Sequence, residues 1–348
     1  MGQAQMDVLA GALSSKRGRS IAEQNMKLLS YAALGVAPPQ EGKAMENMSK
    51  REFLGASIGA GVSLSAVRKA FAQEESGPAD TAARASEGNH RVPSVKVKTS
   101  KLFKSPDGYP NAIAVTPEGL WIGEQKETGQ SAAQYHLPEP KDLTEHAWLV
   151  DWKGKVLKTV ATQSRNTSGM AVGGEYVWMC ANAAPQGVFQ VDMNSKQVSH
   201  RQIPLGPAND GGGCHGALWH DGKLWIASLR LRAILRVDPT SWEPEFMIPF
   251  YQAPEKPRYH AIAWDNGAIW QVIGNDSKRY SEYRPGLVKY DAATGRVLET
   301  ADFAPNSCDP HGVAMHEGSL ISCDAGIHPG WPVNDSPTAG WIFRIDFV

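Results

Sequence analysis

The chain has 348 residues, 42% apolar and 20% charged, which excludes a disordered chain and allows a large core. Lys and Arg total 35 against 36 Asp and Glu, a balance that excludes a nucleic-acid or anionic-lipid surface. The longest apolar run, around residues 53–67, falls short of the roughly 20 that cross a bilayer, so no membrane span is expected. Four Cys, 11 Trp, 34 Gly and 23 Pro point to short strands and tight turns.

In chain order, residues 48–72 resemble a twin-arginine export signal with Lys50 in place of the first arginine. Ser49, Arg51, Phe53 and Leu54 fit that pattern, and Gly55 to Val67 supply the modest apolar stretch. Ala70-Phe71-Ala72 fits a signal-peptidase site. The competing reading is a short amphipathic helix that contains Lys-Arg. The resemblance implies a start at Met48, with residues 1–47 an over-extended N-terminus. It further implies the twin-arginine export machinery as a partner, a mature chain from Gln73, and a periplasmic or secreted location. Residues 73–94 are polar and aperiodic and read as a linker.

Residues 95–348 repeat. One element recurs at Asn111-Ala-Ile-Ala, Ser168-Gly-Met-Ala, His215-Gly-Ala-Leu, His260-Ala-Ile-Ala and His311-Gly-Val-Ala. A turn and a second strand follow each time, as in Leu120-Trp121-Ile122 and Leu224-Trp225-Ile226, and a third strand ends at Asp151, Asp192, Asp238, Asp291 and Asp346. A further turn and a fourth strand complete the unit. Four antiparallel strands repeated in this way predict an all-β fold, a β-propeller of five blades. The last unit stops after its third strand while Val95 to Phe103 has no unit of its own. That N-terminal strand is therefore expected to close the ring.

Residues at one repeat position form one ring around the channel mouth: Asn111, Ser168, His215, His260 and His311. Three converging imidazoles suit a divalent metal ion of unknown identity, and equally suit general-base chemistry. They can also be a channel lining bonded to water. The matching second-strand exits carry Glu124, Asn182, Ser228, Asn275 and Asp324, of which Glu124 and Asp324 offer carboxylates to orient an imidazole or join a metal shell. The candidate catalytic set is His215, His260, His311 and Glu124. The candidate metal set is His215, His260, His311 and Asp324.

The long connections all join strand two to strand three, at 128–145, 275–285 and 325–339, on the face of the ring. Long loops over a polar concavity mark a binding site for a small molecule, although packed Ω-loops have the same composition. Candidate substrate contacts are Asn111, Arg258, Tyr259, Arg279, Tyr283 and Trp331, a mixture suited to an aromatic or carboxylated organic molecule. In an oxidising compartment Cys308 can pair with Cys323 within one blade, or Cys180 with Cys214 across two.

The repeated phrase resembles the group of six- and seven-bladed propellers that includes streptogramin B lyase and the gluconolactonases. That resemblance implies a metal-assisted elimination opening an ester or lactone, with inner-strand histidines and an acidic residue. A sugar-lactone hydrolase is the alternative enzyme, although the ring offers only Asn111 of the carboxylate and Asn oxygens that gluconolactonases use for calcium. The alternative outside enzymes is a ligand- or protein-binding propeller without catalysis.

Overall fold

The computed structural model describes residues 92–205, 213–252, 257–328 and 331–348. The segments expected to be an over-extended N-terminus, an export signal and, as far as residue 91, a linker lie outside the described residues. Among the described residues, twenty strands account for nearly all the regular structure. Strands β2 (Tyr109–Thr116), β3 (Gly119–Gln125), β4 (Glu145–Val150) and β5 (Val156–Thr162) make one antiparallel sheet. A second holds β6 (Thr167–Gly173), β7 (Tyr176–Ala181), β8 (Gly187–Asp192) and β9 (Gln197–Arg201). A third holds β10 (Cys214–His220), β11 (Lys223–Ser228), β12 (Ala233–Val237) and β13 (Pro244–Pro249).

The remaining strands share one eight-stranded sheet. On one side run β14 (Pro257–Asp265), β15 (Ala268–Asn275), β16 (Pro285–Asp291) and β17 (Val297–Phe303), and on the other β18 (Val313–His316), β19 (Ser319–Cys323) and β20 (Trp341–Phe347). Between them lies β1 (Ser94–Lys104), antiparallel to β20 from Val97↔Phe347 to Lys104↔Trp341. The N-terminal strand thus completes the last unit. It also does what the repeat did not foretell: its first residues pair in parallel with β17, Ser94↔Thr300 to Val97↔Phe303, and make the sheet mixed. Eleven residues exceed what β20 can pair, and the surplus covers an edge of β17 that would otherwise be open.

The innermost strands touch in a closed cycle, β2 to β6 to β10 to β14 to β18 and back to β2, as in a β-propeller. Sequence explains how they come so close. The residue after each ring position is Ala112, Gly169, Gly216, Ala261 or Gly312, all small. A Cβ on Gly169 would stand 2.8 Å from Gly216 Cα, and one on Gly216 would stand 2.8 Å from Ala261 Cα. Between the sheets, apolar faces fill the space with Trp121, Trp178, Trp225 and Trp270, each almost fully buried.

The recurring aspartates are turn caps. Oδ1 of Asp151 accepts the N–H groups of Lys153 and Lys155, both at 2.9 Å, and Asp192, Asp238 and Asp291 repeat the pattern. These bonds favour the ionised carboxylate and hold Asp151 and Asp192 below the usual range. Asp346, which β1 follows in space instead of a turn, pairs with Arg344 at 2.8 Å.

Candidate functional site

The inner strands break register at one place. Pairing shifts between Pro110 and Ala112, Thr167 and Gly169, Cys214 and Gly216, and Tyr259 and Ile262. Each shift falls on a ring residue, Asn111, Ser168, His215 or His260. A bulge leaves its extra residue unpaired and re-aims the side chain, which explains how one repeat position serves the channel mouth throughout.

The five ring residues form a connected path. Asn111 Nδ2 donates to Gln125 Oε1 at 2.7 Å and to Ser168 Oγ at 3.4 Å. Asn182 Nδ2 donates to the same Ser168 Oγ at 2.6 Å and meets His215 Nε2 at 2.6 Å. An amide N–H can only donate, so His215 Nε2 accepts and the ring is neutral. His215 then stacks on His260, centroids 5.1 Å apart, and His260 lies against His311 at 4.5 Å. Burial, followed by the Arg258 charge, pushes His215 down to about 3 and His311 to about 4, and holds His260 well below the ordinary value. Among the described residues, neither ring nitrogen of His260 has a hydrogen-bond partner.

Among the described residues, the side chains whose metal-binding atoms converge are Asp309, His311 and Asp324, all within 4.8 Å of one another and all buried. Two of the expected ligands are thus together, while Asp309 joins them in place of His215 and His260. His311 Nδ1 bonds the Asp309 carbonyl at 2.8 Å, and Asp309 Oδ2, which has no hydrogen-bond partner among the described residues, stands 3.9 Å from His311 Nε2. Two ligands of one tetrahedral ion at about 2.1 Å would lie roughly 3.4 Å apart. Asp324 Oδ1 accepts one bond, from Gly326 N at 2.7 Å, and keeps a lone pair. The orphaned buried oxygen and the fixed imidazole tautomer fit a divalent ion, and this group can hold one. Burial pushes Asp309 up to about 6, against the pull of Arg258 Nη1 at 3.5 Å from its Oδ1.

Asp324 also ties down a loop. Its Oδ2 accepts from Asp309 N at 2.9 Å and from the hydroxyls of Ser336 and Thr338, both at 2.5 Å. Asn275 does the same for the preceding insertion, accepting from Arg284 N at 2.6 Å and donating to the Glu282 carbonyl at 3.0 Å. The two insertions pack together: Trp331 Nε1 donates to the Ser277 carbonyl at 3.2 Å, and Tyr283 meets Trp331 edge-on at 4.9 Å. Tyr283 and Trp331 are buried in that packing, while Arg279 is exposed and pairs with Glu282 at 3.7 Å. Tyr259 is buried in the core and its hydroxyl donates to the Tyr251 carbonyl.

Glu124 does not face the ring. Its Oε2 accepts from His146 Nδ1 at 2.8 Å, and Lys126 Nζ lies 3.5 Å from Oε1. Gln125 is the residue that reaches Asn111. Neighbours on a strand point to opposite sides, so an exit position read one residue early selects the wrong face. Sequence reading also passed over Asp309 and Asn166. Tyr109, Asn166, Gly213, Arg258 and Asp309 each stand two residues before a ring position, where the bulge and the strand ends remove the simple alternation of faces. Arg258 and Asp309 meet beside the ring, Nη1 3.5 Å from Oδ1. Asn166 bonds Gln125 and Glu127, at 2.6 and 3.0 Å. Tyr135, from the first insertion, is pushed up to about 12 by burial and the Glu127 charge, and it feels Arg258 and Asp309 as well.

No family model matches the chain, and no curated relative is similar to it. Among solved structures it is similar to the glutaminyl cyclase of Myxococcus xanthus, with a TM-score of 0.49 and 10% identity over 74% of this chain and 98% of that one. It is also similar to hydrazine synthase of Kuenenia stuttgartiensis, TM-score 0.40, 16% identity, 64% of this chain and 57% of that one. The tail fiber of Staphylococcus aureus phage P68 gives a TM-score of 0.47 at 12% identity over 72% and 52% of the two chains.

Proposed function

We propose that the chain is a five-bladed β-propeller enzyme acting on a small carboxylated substrate at the channel mouth, by lyase-type elimination or by opening an ester or lactone. Five blades follow if the eight-stranded sheet is counted as two, joined through β1. The observation that carries the chemistry is the buried convergence of Asp309, His311 and Asp324 around a carboxylate oxygen that has no hydrogen-bond partner among the described residues. These three residues would hold a divalent ion, which when bound supplies Lewis-acid stabilisation of a developing enolate or alkoxide.

The remaining roles fall to residues of the chain. Arg258, paired only loosely with Asp309, binds the substrate carboxylate. Its charge is what, after burial, keeps His260 unprotonated. A bound carboxylate cancels that repulsion and raises the basicity of His260 when substrate is present, so His260 acts as the general base. His215, held by Asn182, fixes the plane against which His260 stacks. Tyr135 shields the mouth from water.

The full chain, purified and analysed for metal by mass spectrometry, is expected to hold one divalent ion and to turn over members of a panel of carboxylated esters and lactones. Chelation and His260→Ala each abolish turnover, and His260→Ala retains the metal. Bound metal with no turnover across the panel would favour a ligand-binding propeller. Absence of metal after reconstitution would overturn the metal reading altogether.

A further inference from the structure

Cys180 lies in β7 and Cys214 opens β10, on neighbouring sheets. Their sulfurs are 2.7 Å apart and both residues are fully buried. Cys180 stands two residues before Asn182 and Cys214 one before His215, the pair that meets at 2.6 Å. The other two thiols are occupied elsewhere, Cys308 Sγ 3.6 Å from Ser307 Oγ and Cys323 Sγ 3.3 Å from Gly312 N.

We propose that Cys180 and Cys214 are the disulfide-forming pair of this chain, a covalent clamp between neighbouring sheets that holds Asn182 against His215. Two S–H bonds break and one S–S bond forms. The two electrons and two protons pass to a low-molecular-weight disulfide, which is cleaved to two thiols. The choice between the two pairings open to the sequence is made by geometry, because these sulfurs touch across the sheets. The clamp closes the chain over the 34-residue separation between the two cysteines, a loop long enough for cross-linking to restrict the unfolded chain appreciably. Burial pushes the Cys180 thiol up and keeps both sulfurs from solvent, so the bond forms as the chain folds, and its reduction requires the chain to open. The inference does not depend on the metal or on catalysis.

The test refolds the full chain from denaturant in the presence of oxidised glutathione, alkylates it under denaturing conditions without reductant, and maps the peptides. The expected result is one cross-linked species joining the Cys180 and Cys214 peptides, with Cys308 and Cys323 alkylated. Reductant should then lower the melting temperature by on the order of 10 °C, and the Cys180→Ser/Cys214→Ser variant should lose that response. The imidazole resonances of His215 should move on reduction while those of His200 stay. Alkylation of Cys180 and Cys214 after glutathione treatment, or a cross-link to Cys308 or Cys323, would overturn the pairing. A formed bond whose reduction leaves His215 unmoved would overturn its positioning role.

Discussion

His311 Nδ1 is held at 2.8 Å by the backbone carbonyl of Asp309, while Oδ2 of the same aspartate stands 3.9 Å from the opposite nitrogen, Nε2. One residue therefore fixes the tautomer through its backbone and sets a carboxylate oxygen beside the nitrogen left to act. Replacing Asp309 by Asn keeps the carbonyl and removes the charge. Asp309→Asn and His311→Ala should each weaken binding of a divalent ion by roughly 100-fold or more, measured by calorimetric titration. Glu124→Gln should leave that affinity unchanged, because its carboxylate is taken by His146 and Lys126. Equal losses in all three variants would sink the assignment.

The contribution of Glu127 to stability should fall as pH rises through neutrality, opposite in sign to that of the buried histidines His215, His260 and His311, whose depressed basicity favours the folded state as pH rises. Glu127 is buried and lies beside Glu145, and the two effects push its carboxyl up to about 7. The folded state therefore holds a proton that the unfolded chain gives up near the ordinary value. The associated stability is complete below that value and is lost as pH climbs through about 7, an effect of roughly 1–3 kcal/mol. Glu127→Gln removes the titration, so the melting temperature at about pH 8.5 should rise relative to that at about pH 5 when compared with the parent. An unchanged difference would show that Glu127 titrates at its ordinary value.

Much of this architecture is legible in the sequence because each repeated residue has one job. Asp151, Asp192, Asp238 and Asp291 cap the same turn, and Gly169 and Gly216 allow the same close approach of strands. The ring Asn111, Ser168, His215, His260 and His311 is legible for that reason too. What stays hidden depends on register: Gln125 rather than Glu124 meets Asn111 because one residue changes face. Asp309 is hidden because the repeat has no fixed residue type two places before the ring. The parallel contact of β1 with β17 has no local signature at all.

The small residue after each ring position is testable at Gly216. An added Cβ would stand 2.8 Å from Ala261 Cα, a backbone atom that cannot swing aside. Gly216→Ala should cost about 1–3 kcal/mol as overpacking, read by urea denaturation. Gly222→Ala is the control for clash, since open space surrounds its Cβ position, with left-handed backbone (φ +71) as its only strain. A larger loss at Gly222 than at Gly216 would remove close approach as the reason for the pattern.

The export reading makes a separate forecast. Protein recovered from the native host should begin at or near Gln73, as mass spectrometry of the intact chain would show. Peptides from residues 1–47 in the same material would overturn the start at Met48.

A chain beginning at Ser105 should lose solubility. β1 lies between β20 and β17, so its removal opens two strand edges at once, each a row of unpaired N–H and C=O groups. It also takes Val97 from a buried cluster that contains Phe303, Phe343 and Ile345, exposing apolar surface alongside those edges. Aggregation is then favoured over a merely weakened monomer, because both the edges and the bared apolar face can recruit another chain. Light scattering on the truncated protein should report large particles, and a synthetic peptide of residues 94–104 added during refolding should suppress them. A monomeric truncated chain that melts cooperatively without the peptide would mean that the ring closes without its N-terminal strand.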